Sequence, residues 1–188
     1  MPKGSIIGTS SLRRRAQLLR FRKDLKIENL RGNLDTRIRK LRSGMYDGII
    51  VAEAGLIRLN LTKIINYQVL PVEYFVPSAN QGIIAVATRK GEEDLVEFMN
   101  DKKTEIEAKV EREVLKTLGI GCAIPSGILA QVKGKVRLVC EFIALDGSKY
   151  VRIDEKLSKS NAIEETRDLA LNFKEDVLKL GLKLPSIS

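Results

Sequence analysis

The first 61 residues repeat one pattern three times: a short apolar run, a turn of small and polar residues, and a segment with helical spacing. The apolar runs cover residues 5–8, 26–30 and 48–52. A strand that is followed by a helix and then by another strand favours parallel pairing with right-handed crossovers. This part of the chain is therefore predicted to form a parallel α/β sheet covered by helices.

The second half of the chain has a different pattern, in which helices flank alternating strands. A capping box formed by Thr104 and Glu107 predicts the start of one helix, and Asn161 with Glu164 predicts the start of another. The helices carry apolar stripes, and between them one strand alternates and is followed by an Asp146-Gly147 turn. The buried positions predicted from this pattern are Ile106, Val110, Val114, Leu118, Val136, Leu138, Cys140, Phe142, Ile163, Ala170, Phe173 and Val177. We expect an α+β domain with a small antiparallel sheet covered by two helices.

One segment between the two halves has no obvious partner. Residues 83–87 are apolar throughout and predict a strand buried on both faces. Such a strand needs neighbours on both sides, so we expect it to self-associate or to lower solubility when they are absent.

Positive charge is concentrated in one early region. Residues 8–42 contain twelve basic and three acidic residues, which accounts for the whole net charge of +9, and nine of the twelve are Arg. A solvated helix surface is one interpretation, and a nucleic-acid site is a second. The nucleic-acid interpretation is weak because Phe21 is the only aromatic residue of the stretch. Arginines at strand-to-helix turns favour a third interpretation, an anion site beyond the carboxyl ends of the strands at residues 9–11, 31–33 and 52–55.

Composition excludes several classes of chemistry. The chain contains no His, which removes Ser-His and Cys-His catalysis and the usual zinc sites. No apolar run is long enough to span a membrane, and no signal peptide is recognisable. Two cysteines far apart do not form a disulfide scaffold, so we expect a protein of the reducing cytoplasm. Of the two cysteines, Cys140 fits a strand core, whereas Cys122 lies among Gly and Pro residues. Cys122 is either structural or a functional thiol that suits a covalent anchor.

Five segments, taken together, resemble the hydroxymethylbilane synthase (porphobilinogen deaminase) family. They occur in the family's order and at similar spacing: Gly8-Thr-Ser-Ser-Leu-Arg-Arg14, Leu30-Arg-Gly-Asn33 followed by Thr36-Arg37, Tyr46-Asp-Gly-Ile-Ile-Val-Ala-Glu-Ala-Gly-Leu56, Gln81-Gly82, and Gly121-Cys-Ala-Ile-Pro-Ser-Gly127. The resemblance covers essentially the whole chain. It implies a transferase of heme and tetrapyrrole biosynthesis that joins four porphobilinogen molecules into hydroxymethylbilane and releases ammonia.

The resemblance also assigns roles to residues. It implies that Cys122 carries a dipyrromethane cofactor through a thioether. It implies that the carboxylates of the cofactor and of the growing oligopyrrole are bound by Ser11, Arg13, Arg14, Arg31 and Arg37, and that Ala54 and Gly55 line the same cleft. The catalytic Asp of the family belongs to an amino-terminal domain that we do not recognise in this sequence. We therefore expect the chain alone to be inactive.

The family's organisation implies three parts for this chain. Residues 1–75 are expected to be an incomplete second domain, one lobe of a periplasmic-binding-protein-like fold. Residues 76–91 are expected to return to the sheet of the first domain, and residues 92–188 to form the cofactor-carrying α+β domain. The expected partners are porphobilinogen and the missing domain, without membrane or nucleic acid, and the complete enzyme is expected to be a monomer. A non-catalytic anion-binding module, or one half of a split enzyme, is the alternative.

Overall fold

The computed structural model describes residues 1–120 and 124–182. The chain divides into two compact units. The first contains Met1–Phe75 and Ile143–Lys149, and the second contains Val76–Phe142 and Tyr150–Ser188.

The first unit contains a parallel sheet of three strands with three helices. Its elements are β1 (Ile6–Gly8), α1 (Leu12–Phe21), β2 (Lys26–Glu28), α2 (Leu34–Arg42), β3 (Gly48–Ile49) and α3 (Glu53–Arg58). The strand order is β2-β1-β3, and β1 pairs in parallel with both neighbours. The parallel sheet predicted from the sequence is confirmed.

The strands of this sheet are shorter than predicted. β2 ends at Glu28 instead of residue 30, and β3 contains two residues instead of five, both half-buried instead of buried. The reason is the length of β1, which has three residues and so offers few backbone partners. After Ile50 N donates to Gly8 O at 3.1 Å, β3 has no more of β1 to pair with.

The second unit contains an antiparallel sheet with two long helices. Two single-turn 3₁₀ segments (Glu93–Leu95 and Glu97–Met99) precede α4 (Lys102–Leu118), β4 (Ser126–Lys133), β5 (Lys135–Ile143), β6 (Tyr150–Leu157) and α5 (Ala162–Lys179). The strand order is β4-β5-β6, and the pairing of β4 with β5 is antiparallel. The predicted α+β pattern is confirmed, and all twelve predicted core positions lie in this unit's hydrophobic core or pack against it.

Of the two predicted caps in this unit, the one at Thr104 is wrong, and the one at Asn161 is confirmed in position only. The N-cap of α4 is Asp101, whose side chain accepts from Thr104 N at 2.7 Å, so the helix begins before the predicted capping box. Glu107 is engaged elsewhere, since its carboxylate accepts from Val132 N at 2.7 Å. Asn161 does stand at the N-cap of α5, but its side chain makes no capping hydrogen bond.

The strand predicted at residues 83–87 is not formed. Ile84 is 82% exposed and Val86 is 49% exposed, so the apolar run lies open to solvent. An apolar segment becomes a strand only when a neighbouring strand supplies backbone partners, and the described residues supply none here. Within the described ranges, no helix has both the length and the apolar character needed to cross a membrane.

Candidate functional site

The carboxyl ends of β1 and β2 are joined by Ser10. Its hydroxyl donates to Leu30 O at 2.7 Å and accepts from Leu30 N at 3.1 Å. Leu30 is fully buried, so its backbone groups need these partners. The bridge fixes the chain just before Arg31 beside the chain just before Ser11. Sequence analysis missed Ser10; its only signal was a hydroxyl residue just after a short strand.

Ser11 begins α1 at this edge of the sheet. Its hydroxyl accepts from Arg14 N at 3.4 Å, and its own N–H donates to Thr9 Oγ1 at 3.3 Å. The first turn of α1 contains no acidic residue. The N–H groups and the positive end of the helix dipole therefore favour an anion here.

Arg14 reaches across the sheet from α1. Its Nη1 donates at 3.0 Å to the O atom of Ile50, the residue that directly follows β3. Burial lowers the pKa of Arg14, and the positive charge of Arg37 lowers it further. The structure thus brings two of the predicted arginines close enough to repel each other in a half-buried setting.

Arg37 is held by the turn between β2 and α2. Its Nε donates to Gly32 O at 2.8 Å. Gly32 has a φ of +113°, and a Cβ there would lie 2.7 Å from Thr36 Cγ2, so this turn requires glycine. Asn33, which was predicted only as part of a turn, is the N-cap of α2 and accepts from Thr36 N at 2.9 Å.

The other two arginines occupy different environments. Arg31 is exposed, and its carbonyl accepts from Lys40 Nζ at 3.3 Å. Arg13 is buried at 9% exposure, and its Nη1 donates to the buried Gln17 Oε1 at 3.2 Å. Arg13 is thus partnered within its own helix, whereas Arg31 faces solvent.

Ala54 and Gly55 form the first turn of α3. Ala54 is exposed and Gly55 is half-buried. A Cβ on Gly55 would lie 2.9 Å from Leu34 Cδ2, so this turn packs against the first residue of α2. The second and third strand-to-helix junctions therefore lie side by side.

The charges of this region fit a ligand with several carboxylates. Among the described residues, no ion pair joins Arg14, Arg31 or Arg37 to an Asp or Glu. Two guanidinium groups that repel each other are stabilised when an anion binds both, and forked pairing with carboxylate suits Arg. The pyrrole units of a dipyrromethane carry such carboxylates, so the residues present fit that group.

The structure describes one of the two cysteines, Cys140. Cys122 lies outside the described residues. Cys140 is 1% exposed in the core of the second unit, as predicted. Burial raises the pKa of Cys140 well above its usual range, and the charge of Glu111 raises it further. A thiol that stays protonated is a poor nucleophile, so Cys140 is unsuited to covalent attachment.

Two family models match consecutive parts of the chain. Residues 1–97 match "Porphobilinogen deaminase, dipyromethane cofactor binding domain", and residues 105–179 match "Porphobilinogen deaminase, C-terminal domain". The first match alone covers more than half of the 188 residues.

Curated relatives agree with the family models. The chain is 58% identical over 177 residues to a protein of Archaeoglobus fulgidus, covering 94% of this chain and 60% of that protein. It is 42% identical over 188 residues to a protein of Methanococcoides burtonii, covering 97% of this chain and 59% of that protein. Both are named "Probable porphobilinogen deaminase". The chain thus spans about 60% of the length of these relatives, and it belongs to the porphobilinogen deaminase family.

Proposed function

We propose that this chain supplies the carboxylate-binding and cofactor-holding part of a porphobilinogen deaminase. The complete enzyme joins four porphobilinogen molecules head to tail into hydroxymethylbilane and releases ammonia. The observation that carries the proposal is the half-buried pair of Arg14 and Arg37 beyond the carboxyl ends of a parallel sheet. Ligands of open parallel sheets bind at this edge.

The binding roles follow from the charge of the substrate. Each pyrrole has an acetate and a propionate, so a growing chain accumulates negative charge that several arginines can neutralise and orient. We assign this role to Ser11, Arg13, Arg14, Arg31 and Arg37, with Ala54 and Gly55 lining the same cleft. The first turn of α1 contains no acidic residue, which supports the assignment of Ser11, since the positive end of the helix dipole favours a carboxylate there.

We assign the covalent link to Cys122. The elevated pKa of Cys140 supports this choice because it disfavours the alternative thiol. The dipyrromethane, once bound, supplies the primer to which pyrrole units are added. The residues of this chain bind and orient its carboxylates.

The domain assignment is part of the same proposal. Residues 1–75 form part of the family's second domain, a lobe of periplasmic-binding-protein-like fold, and the strand order β2-β1-β3 supports this. Residues 76–91 return to the sheet of the first domain, and residues 92–188 are the cofactor-carrying domain. The exposure of Ile84 supports a partner for the middle segment, either the first domain or, in the isolated chain, another copy. The buried, reduced Cys140 is compatible with a cytoplasmic location.

The experiment that tests this function adds the amino-terminal domain of the family to the chain. The amino-terminal domain of a family member is mixed with the chain, and porphobilinogen consumption and ammonia release are measured. The mixture should be active and each part alone inactive, because the catalytic carboxylate comes from the added domain. An Arg42→Leu variant, altered at an exposed position on α2, should match the wild type. A mixture that binds porphobilinogen without consuming it would favour a non-catalytic anion-binding module instead.

A further inference from the structure

The free edge of β4 has an unusual set of acceptors. β4 lies at the end of the sheet, so alternate N–H groups point away from its neighbour β5. Three of these groups are satisfied from outside the sheet. Ile128 N donates to Pro77 O at 2.8 Å, Ala130 N to Glu111 Oε1 at 2.7 Å, and Val132 N to Glu107 Oε1 at 2.7 Å. Two carboxylates from one helix thus replace part of a neighbouring strand.

The spacing of the two carboxylates matches the spacing of the strand. Four residues of an α-helix advance about 6 Å, and two residues of a strand advance about 6.6 Å. Glu107 binds the later residue, Val132, and Glu111 binds the earlier one, Ala130. α4 and β4 therefore run in opposite directions. The distance between the two Glu side chains along the helix matches the distance between the two N–H groups along the strand.

Glu111 also binds a second segment of the same unit. Its Oε2 accepts from Asn80 N, in the stretch that leads to Gln81 and Gly82. Asn80 has a φ of +57°, in the left-handed region that Asn adopts more readily than most residues, and the hydrogen bond fixes its N–H in this turn. Each oxygen of Glu111 thus has one N–H donor, which a Gln side chain cannot reproduce.

Burial of the charged Glu111 side chain costs free energy, which its hydrogen bonds must offset. The residue is 4% exposed, and burial raises the pKa of its carboxyl although the two N–H groups oppose this effect. The groups that face it are Glu107, whose charge raises the pKa further, and Cys140 on β5. A buried carboxylate is stabilised only while its hydrogen bonds persist, so it ties these segments closely together.

We propose that Glu107 and Glu111 are positioning residues for the connection between α4 and β4. Residues 119–125 make this connection and include Cys122. By locking α4 and β4 in one register, the carboxylates hold together the two described elements that flank this connection. The role of Cys122 in this inference rests on the proposed function, whereas the clamp rests on the described contacts alone.

Backbone amide exchange in the 188-residue chain tests the clamp directly. Glu111→Gln should accelerate exchange at Ala130 or Asn80 by about tenfold or more, because Gln leaves one donor without an acceptor. Glu107→Gln should accelerate amide exchange at Val132, whose N–H donates to Glu107. Glu113→Gln, which loses an ion pair with Arg167 on α5, is the matched control and should change none of these amides. Equal exchange in all variants would overturn the clamp.

A pH titration of the wild-type chain tests the clamp without any substitution, and therefore does not depend on whether a variant folds. In the wild-type chain the amide proton shifts of Ala130 and Asn80 should change with one common midpoint, above the ordinary Glu range, because both report on Glu111. Independent midpoints, or shifts that do not titrate, would overturn the clamp without any substitution.

The positioning role is tested by cofactor loading. With the amino-terminal domain supplied, Glu111→Gln should slow thioether formation at Cys122 while the Kd for porphobilinogen stays within about twofold of the wild type. Unchanged loading together with faster exchange would overturn the positioning role. Absence of loading in the wild type would overturn the assignment of Cys122, and the positioning role with it, while the amide data would still judge the clamp.

Discussion

Arg14 and Arg37 come from different helices, and the charge of Arg37 lowers the pKa of Arg14. Each guanidinium is held by a backbone carbonyl, Arg14 by Ile50 O at 3.0 Å and Arg37 by Gly32 O at 2.8 Å. Carbonyl partners orient a guanidinium without neutralising its charge. The pair therefore keeps its positive charge available for a ligand.

Replacing either arginine should separate binding from stability. Arg14→Leu and Arg37→Leu should each weaken porphobilinogen binding by about 10- to 100-fold, since a hydrogen bond to a charged group contributes roughly 1.5–3 kcal/mol. The free energy of unfolding without ligand should change much less than the affinity, because relief of the repulsion offsets the lost hydrogen bond to the backbone carbonyl. Calorimetric titration and urea unfolding measure the two quantities. Arg42→Leu is the control on α2, and an equal loss of affinity there would mean that general positive potential is sufficient.

Substitution of Gly32 should lower the free energy of unfolding more than substitution of Gly44, which has no neighbouring atoms around an added Cβ. In Gly32→Ala the Cβ collides with Thr36 in a backbone with φ of +113°, so we expect a loss of roughly 1–3 kcal/mol in the free energy of unfolding. The turn that holds Arg37 should also shift and weaken ligand binding. Gly44→Ala is the control, since its φ is +75° but nothing lies within 4 Å of the new Cβ. Urea unfolding that gave equal losses for both would show that backbone conformation alone decides the cost.

The exposed segment around Ile84 should drive association of the isolated chain. Ile84 is 82% exposed within an apolar run that lacks strand partners among the described residues. Light scattering should give a mass above the monomer for the wild type and the monomer mass for Ile84→Lys. Leu178→Lys, at an apolar position 54% exposed on α5, should leave the wild-type mass unchanged. A monomeric wild type at high concentration would contradict this account of the segment.

Glu111 should give the chain an unusual pH dependence. Its raised pKa means that the folded chain retains a proton that the unfolded chain releases above the ordinary Glu pKa of about 4.3. The contribution of Glu111 to the free energy of unfolding therefore falls as pH rises from that value to the raised one, and is level above it. Urea unfolding across this window should show that Glu111→Gln removes the contribution. Glu113→Gln should retain it, and a slope that persists in Glu111→Gln would assign it to other groups.

Periodicity was sufficient to predict the elements that pack by one apolar face. The predicted helix stripe and the predicted strand positions are buried, because spacing alone decides which face such residues share. They are Val110, Val114 and Leu118 on α4 and Val136, Leu138, Cys140 and Phe142 on β5. The parallel direction of the strands in the first sheet was predicted from the alternation of strands and helices. The positions of the arginines at the strand-to-helix junctions followed from the same argument.

Features that depend on a partner distant in sequence could not be predicted in this way. The Thr104 and Glu107 pattern suggested a capping box, but Glu107 binds Val132 N instead, a choice that only the packing of β4 on α4 makes. Glu111 was simply another charge on a helix. Residues 83–87 have the composition of a strand, but composition cannot supply the neighbouring strand that would form one.

Mapping the cofactor attachment site tests the central claim most directly. The chain is combined with the amino-terminal domain of a family member, incubated with porphobilinogen, and digested for peptide mass analysis. We expect the mass of a dipyrromethane on the peptide that contains Cys122, its loss in Cys122→Ser, and an unmodified Cys140, whose buried thiol stays protonated. An adduct on Cys140, or a Cys122→Ser chain that still holds the cofactor, would contradict the account.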